Sequence, residues 1–140
     1  MILERMPSPV GELVLLEENG TLIGLAFGHR WARVHADIER HRGRLPHLGR
    51  GETRARPLLE AYFSGKLEAL SEVQWAVKGT AFQEQVWSSL PRIPVGQTWS
   101  YKELAAAVGR PSSVRAVANA VGANPVSIAV PCHRVIGANG

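Results

Sequence analysis

Glycine and proline cut the second half of this chain into short helices, and that punctuation limits what it can fold into. Thr80 can cap a helix running from Ala81 to about Leu90, with Glu84 near its start and Phe82, Val86 and Leu90 as an apolar stripe. Pro91 and Pro94 close it, and Ile93 to Gln97 turns the chain. Ser100 and Glu103 form a capping box at the head of a second helix, Tyr101 to Val108, which Gly109 ends. Ser112 is placed to cap a third, from Ser113 to about Val121, ended by Gly122. The last two, joined by a tight Gly-containing turn, read as a helix-turn-helix. The second of them carries few bulky groups: Arg115, Ala116, Val117, Ala118, Asn119, Ala120. Such a helix reads little base-edge pattern, yet it can approach a backbone or a narrow groove closely, with Arg115 as its one long probe. An ordinary buried Ala-rich helix is the alternative.

The first half has a different texture. Glu12 to Leu16 and Thr21 to Phe27 flank Glu18-Asn19-Gly20, and Asn-Gly between apolar runs is a strong hairpin signal. Val34 to Arg42 fits a short polar helix. Residues 43–56, rich in Gly, Pro and Arg without periodicity, read as a mobile loop. Pro57 to Phe63 fits a helix that Gly65 ends, and Glu68 to Lys78 an extended crossing segment. His29, His35, His41 and His47 recur every six residues, which puts them on no common face; solvated loop residues are expected there, and no metal. The fold expected is of the α+β or α/β class. It has a small N-terminal lobe, residues 1–78, with an antiparallel sheet, and a mostly helical C-terminal lobe, residues 79–140, with the helix-turn-helix.

Composition restricts the partner and the compartment. With 45% hydrophobic and 20% charged residues the chain reads as globular, no apolar run approaches the ~20 residues of a membrane span, and no signal-peptide layout opens it. A single cysteine excludes an internal disulfide and a Cys-rich zinc site, and a free thiol suits a reducing interior, so the cytoplasm is expected. The net charge is +4, and Arg30 to Arg56 holds eight Arg against three acids. From Gly79 onward five basic residues face two acids, an excess that suggests a polyanion, most simply nucleic acid.

That single cysteine stands in Val130-Pro131-Cys132-His133-Arg134-Val135. A thiol attacks as the thiolate, and a base and a positive charge follow it by one and two residues. A buried structural Cys is the bland alternative. Here the residues resemble a known family. Phe82-Gln83-Glu84-Gln85-Val86-Trp87, Ile93-Pro94-Val95-Gly96, Ser100-Tyr101, Arg115-Ala116-Val117, Asn124-Pro125 and Pro131-Cys132-His133-Arg134-Val135-Ile136 stand in the order found in O6-alkylguanine-DNA alkyltransferases. The resemblance covers the last 60 or so residues strongly and the N-terminal part in outline.

The resemblance implies a DNA repair protein that flips a guanine out of the duplex and takes its O6-alkyl group irreversibly onto Cys132, once per molecule. It implies His133 as the base acting through a water, Tyr101 as the phenol that protonates the departing guanine, and Asn124 as the hinge before the cysteine segment. Arg115 would enter the base stack, with DNA contacts at Ser112, Ser113, Ala116, Ala120, Gly122 and Arg134. The expected partner is double-stranded DNA containing O6-alkylguanine, with no membrane and a monomeric protein. No cofactor motif is present and the transfer needs none. Zinc sites in some relatives' N-terminal lobes use cysteines this chain lacks, so no metal is expected.

Family members continue past Gly140 with a Gly-rich loop and a helix whose Glu orients the histidine. A fragment, a removed tail and a naturally short relative are the three explanations, and the Asn139-Gly140 turn signal with nothing returning from it favours truncation, with a less firmly held imidazole and an open pocket wall. Two other readings compete: an alkyltransferase-like protein that binds damage without transfer, against which the intact Cys132 argues, and a helix-turn-helix regulator.

Overall fold

Asn19 and Gly20 both adopt positive φ, 50° and 85°, the twist a two-residue loop needs between right-handed strands. They join β2 (Leu13–Glu18) to β3 (Thr21–Phe27), the hairpin expected from the sequence. The computed structural model describes residues 1–137 and adds two strands to it. β1 (Ile2–Met6) lies antiparallel to β2, and the two-residue β4 (Gly49–Arg50) lies parallel to β1, giving the order β3-β2-β1-β4. The Asn139-Gly140 turn signal falls outside the described residues.

Register explains why β1 is hard to see. Glu4 stands opposite Leu15 and Glu17 opposite Ile2, so both carboxylates share the buried face of Leu15. Glu4 is 8% exposed and Glu17 4%. Burying a carboxylate is costly unless it is hydrogen-bonded, and here it is. Glu4 accepts from the Thr53 amide at 2.9 Å, the Thr53 hydroxyl at 3.0 Å and the Arg56 guanidinium at 3.0 Å. Glu17 accepts from the Arg54 amide at 2.6 Å. These amides open α2 (Ala55–Phe63), where unpaired N–H groups and the helix dipole favour negative charge. Residues 43–56 are thus not the unanchored loop their composition suggests: β4, the Thr53 anchor and the start of α2 all lie within them.

Burial alone would raise the Glu4 pKa, but the Thr53 amide, Arg56 and the Thr53 hydroxyl together bring it below the ordinary carboxylate value. A carboxyl with a depressed folded pKa adds stability above its unfolded pKa and loses it as pH falls through the folded one. Glu4→Gln is therefore expected to cost about 1–3 kcal/mol at pH 7. The difference should shrink as pH falls below the ordinary carboxylate range and vanish once Glu4 is protonated in the folded protein, and pH-dependent urea melts measure both. Parallel curves down to pH 3 would refute the role.

Both faces of the sheet are covered. On one, Val14, Leu16, Ile23 and Ala26 pack against Trp31, Val34 and Ile38 of α1 (Trp31–Arg42), a helix that begins three residues before its expected start. On the other, Met6, Leu13, Leu15, Leu22 and Leu25 join a core that continues into the C-terminal helices. The segment 68–78 is extended only in part, because residues 67–72 form a 3-10 turn. Its remainder bridges the open edge of β3 at Leu22, and residues 125–127 bridge the same edge at Leu25. Among the described residues no helix is long and apolar enough to cross a membrane.

The C-terminal part holds α3 (Ala81–Ser89), α4 (Tyr101–Ala107) and α5 (Val114–Gly122). Thr80 caps α3 through a box with Gln83, and Ser100 caps α4 through its box with Glu103. Ser112 does not cap α5: the cap position belongs to Ser113, which makes no side-chain capping bond, and Gly122 is the last helical residue. A further pair of short strands closes the chain on itself, β5 (Trp99–Ser100) parallel to β6 (Val135–Ile136).

Candidate active site

β3, α1, α4, α5 and the segment from 124 to 133 converge on one place. The β5–β6 pairing sets Ser100 beside Ile136, so Tyr101, the first residue of α4, is carried toward the cysteine segment. Neither two-residue strand has a signal of its own in the sequence. Cys132, His133 and Arg134 form a single 3-10 turn just before β6, with the Arg134 amide donating to the Pro131 carbonyl at 3.1 Å.

Asn124 holds the approach to that turn. It is 5% exposed; its side-chain amide donates to the Val130 carbonyl at 2.8 Å and its oxygen accepts from the Val126 amide at 2.9 Å. The chain from 124 to 130 is thereby closed into a compact loop, tied to the sheet where the Ser127 amide donates to the Leu25 carbonyl at 2.9 Å. Inside it Ile128 is buried with φ 69°. A β-branched residue is strained there and persists only because its surroundings hold it.

The groove so formed, roughly 200 Å³, is lined by Tyr101, Asn124, Ser127, Cys132 and His133 on one side and by Phe27, Arg30 and Val34 on the other. It is smaller than the ~300–1,000 Å³ usual around a drug-sized ligand, in keeping with a single planar base. Cys132 is a half-buried free thiol. His133 is exposed by surface area, but partial enclosure of its ring, and then the charge of Arg134, lower its pKa below the ordinary imidazole value. Near neutral pH the ring is thus uncharged and able to accept a proton.

A larger groove, roughly 420 Å³, lies behind the segment against Leu67, Trp75, Pro131 and Arg134. It contains no cysteine, histidine or tyrosine, so chemistry rather than size marks the site. Among the described residues, no three His, Cys, Asp or Glu side chains are grouped to hold a metal ion.

α5 ends at the groove. Arg115, Ala116, Asn119 and Gly122 are exposed along one stripe of it, Ser112 is exposed just before it, and Ser113 is half-buried. Ala120 faces inward instead, 3% exposed, and its carbonyl accepts from the Trp87 indole at 2.7 Å. Arg134 also points away from the stripe and donates to the Ile93 carbonyl at 2.8 Å. The sequence reading brought Tyr101, Asn124, Cys132 and His133 together, and the structure places all four on one groove. It missed Phe27, Arg30 and Val34, which reach the groove only through packing of α1 and β3 against the C-terminal helices.

Comparison with known proteins gives consistent matches. Residues 81–140 match the family described as 6-O-methylguanine DNA methyltransferase, DNA binding domain. A methylated-DNA–protein-cysteine methyltransferase of Methanosarcina barkeri is 39% identical over 142 residues, covering 100% of this chain and 85% of that protein. One from Salmonella typhimurium is 54% identical over 82 residues, 59% of this chain, and the match spans about half (48%) of that protein. The crystal structure of Mycobacterium tuberculosis OGT in complex with DNA superposes with a TM-score of 0.78 at 34% identity, covering 100% of this chain and 81% of that one.

Proposed function

The chain belongs to the methylated-DNA–protein-cysteine methyltransferases, and from that premise and the groove at Cys132 we propose that it repairs O6-alkylguanine in double-stranded DNA. The Cys132 sulfur attacks the alkyl carbon; the S–C bond forms as the C–O6 bond breaks, and guanine departs. His133, uncharged at neutral pH, removes the thiol proton through a water. Tyr101 donates a proton to the guanine ring as negative charge builds there. Asn124 holds the cysteine segment in place, and Arg115 fills the space left by the flipped nucleotide.

DNA lies along the exposed stripe of α5, with Ser112, Ser113, Ala116 and Gly122 against its backbone. The S–C bond of the product thioether is stable and no group in the groove can break it, so each molecule acts once. We assign residues 1–78 and 79–140 to two lobes of a monomer that works in the cytoplasm, without a cofactor or metal.

One observation carries this reading: the lone thiol, an uncharged imidazole and a phenol share a base-sized groove at the end of a helix that exposes small residues and one arginine. Intact mass after incubation with a duplex bearing O6-methylguanine tests it. A gain of one methylene, absent in Cys132→Ala, is expected. No gain, with binding that still favours the lesion, would replace repair by damage binding.

A further inference from the structure

Apart from Arg30 and Val34, which line the Cys132 groove, the Arg-rich stretch from 30 to 56 has no part in the chemistry above, and the fold divides it. Arg42 donates to the Ala76 carbonyl at 3.3 Å, Arg54 lies over the Gly20 turn, and Arg56 bonds Glu4. Those three hold structure together. Arg30, Arg33 and Arg40 follow one another at helical spacing along α1, on the side that meets the end of α5. Lys78 joins them beside Ala123 and Pro125.

The joint between the two helices is explicit. The Arg30 guanidinium donates to the Gly122 carbonyl, at 3.4 Å, where the exposed stripe of α5 stops. From Gly122 the surface runs on past Arg30 to Arg33 and Lys78. One carboxylate, Asp37, lies among these cations, and it is paired with Arg40 at 2.8 Å. Among the described residues Arg33 and Lys78 make no side-chain hydrogen bond or ion pair, and both are exposed.

We propose that Arg33 and Lys78, with Arg30 and Arg40 beside them, form a second phosphate-contact surface that holds duplex DNA against α1 while α5 occupies its groove. The inference rests on the DNA-repair reading. The occupant follows from charge and continuity: unpaired cations extend the face already assigned to a polyanion. A phosphate contact of this kind adds affinity without sequence preference and releases condensed counterions.

The test is the salt dependence of equilibrium binding to an unmodified duplex, for the full chain and its variants. Each phosphate contact contributes about 0.9 to the slope of log K against log salt, so Arg33→Ala/Lys78→Ala should be shallower by about two and weaker by about ten- to fiftyfold at low salt. Arg33→Lys/Lys78→Arg should retain the wild-type slope, which separates charge from folding. Arg44→Ala, an exposed arginine outside the surface, should behave as wild type. An unchanged slope in the double variant, or an equal loss in Arg44→Ala, overturns the second surface while leaving repair intact. A wild-type chain that neither binds duplex nor takes up a methyl group overturns both.

Discussion

Asn124→Ala is expected to lower methyl transfer at saturating DNA by a hundredfold or more while destabilising the protein by about 2–4 kcal/mol. The substitution removes both bonds of the loop before Cys132 at once. It leaves the Val126 amide unpaired, and the Val130 carbonyl with only the Cys132 amide at 2.8 Å, in a region that water does not reach. The orphaned amide costs roughly 1–3 kcal/mol, more than the net gain of a satisfied bond, and the weakened carbonyl adds to it. The kinetic effect has a separate origin. Ile128 sits in left-handed backbone geometry that a β-branched residue avoids. Without Asn124 the loop can relax toward an ordinary conformation and carry the thiol away from its line of attack. Asn124→Asp keeps the acceptor for Val126 but sets a carboxylate against the Val130 carbonyl, so its transfer rate should also fall. Single-turnover rates beside urea melts decide the matter: a wild-type rate in Asn124→Ala would remove the positioning role.

Trp87→Ala should cost about 3–5 kcal/mol, a large share of the 5–15 kcal/mol that typically holds a domain folded. The indole is 2% exposed, fills the contact between α3 and α5, and donates to the Ala120 carbonyl. Trp87→Phe keeps the ring but loses that bond, so about 1–3 kcal/mol is expected. The same indole explains Gly79. A Cβ there would meet the Trp87 ring at 2.7 Å and the Gln83 side chain at 2.6 Å. Gly79→Ala must therefore disturb the capping box of α3 and the seat of α5 together. Thermal melts with DNA-binding curves check this, since a shift of α5 lowers affinity as well as stability. Melting temperatures within a degree or two of wild type would refute it.

What could be read from the residues alone was whatever is bonded locally. The Asn19-Gly20 turn and the Ser100 box write their partners within three or four positions, and both stand as expected. Thr80 caps α3 as expected, with Gln83 completing a box that the sequence reading did not name. Ser112 misled because two serines in a row offer two starts, and the backbone takes the second. β4, β5 and β6 escaped because their partners are distant and two residues make no period, and β1 because Glu4 stands on its buried face. The site followed the same rule. Cys132 and His133 are adjacent in the chain, and Tyr101 and Asn124 were added by resemblance to a family. Phe27, Arg30 and Val34 come from the other half of the chain and reach the groove only through tertiary packing.

The bridges on β3 also set an order of events during synthesis. Its outer edge is completed first by residues 74–76 and then, at Leu25, by residues 125–127. At about 5–20 residues per second, the second bridge becomes possible only some 5–20 s after Leu25 has been made. Until then an apolar strand leaves the ribosome with unpaired amides and carbonyls, the form in which strands join the wrong partner. The residues that close this edge are those that lead into Cys132, so the nascent N-terminal half is protected from aggregation only as the reactive segment takes its place.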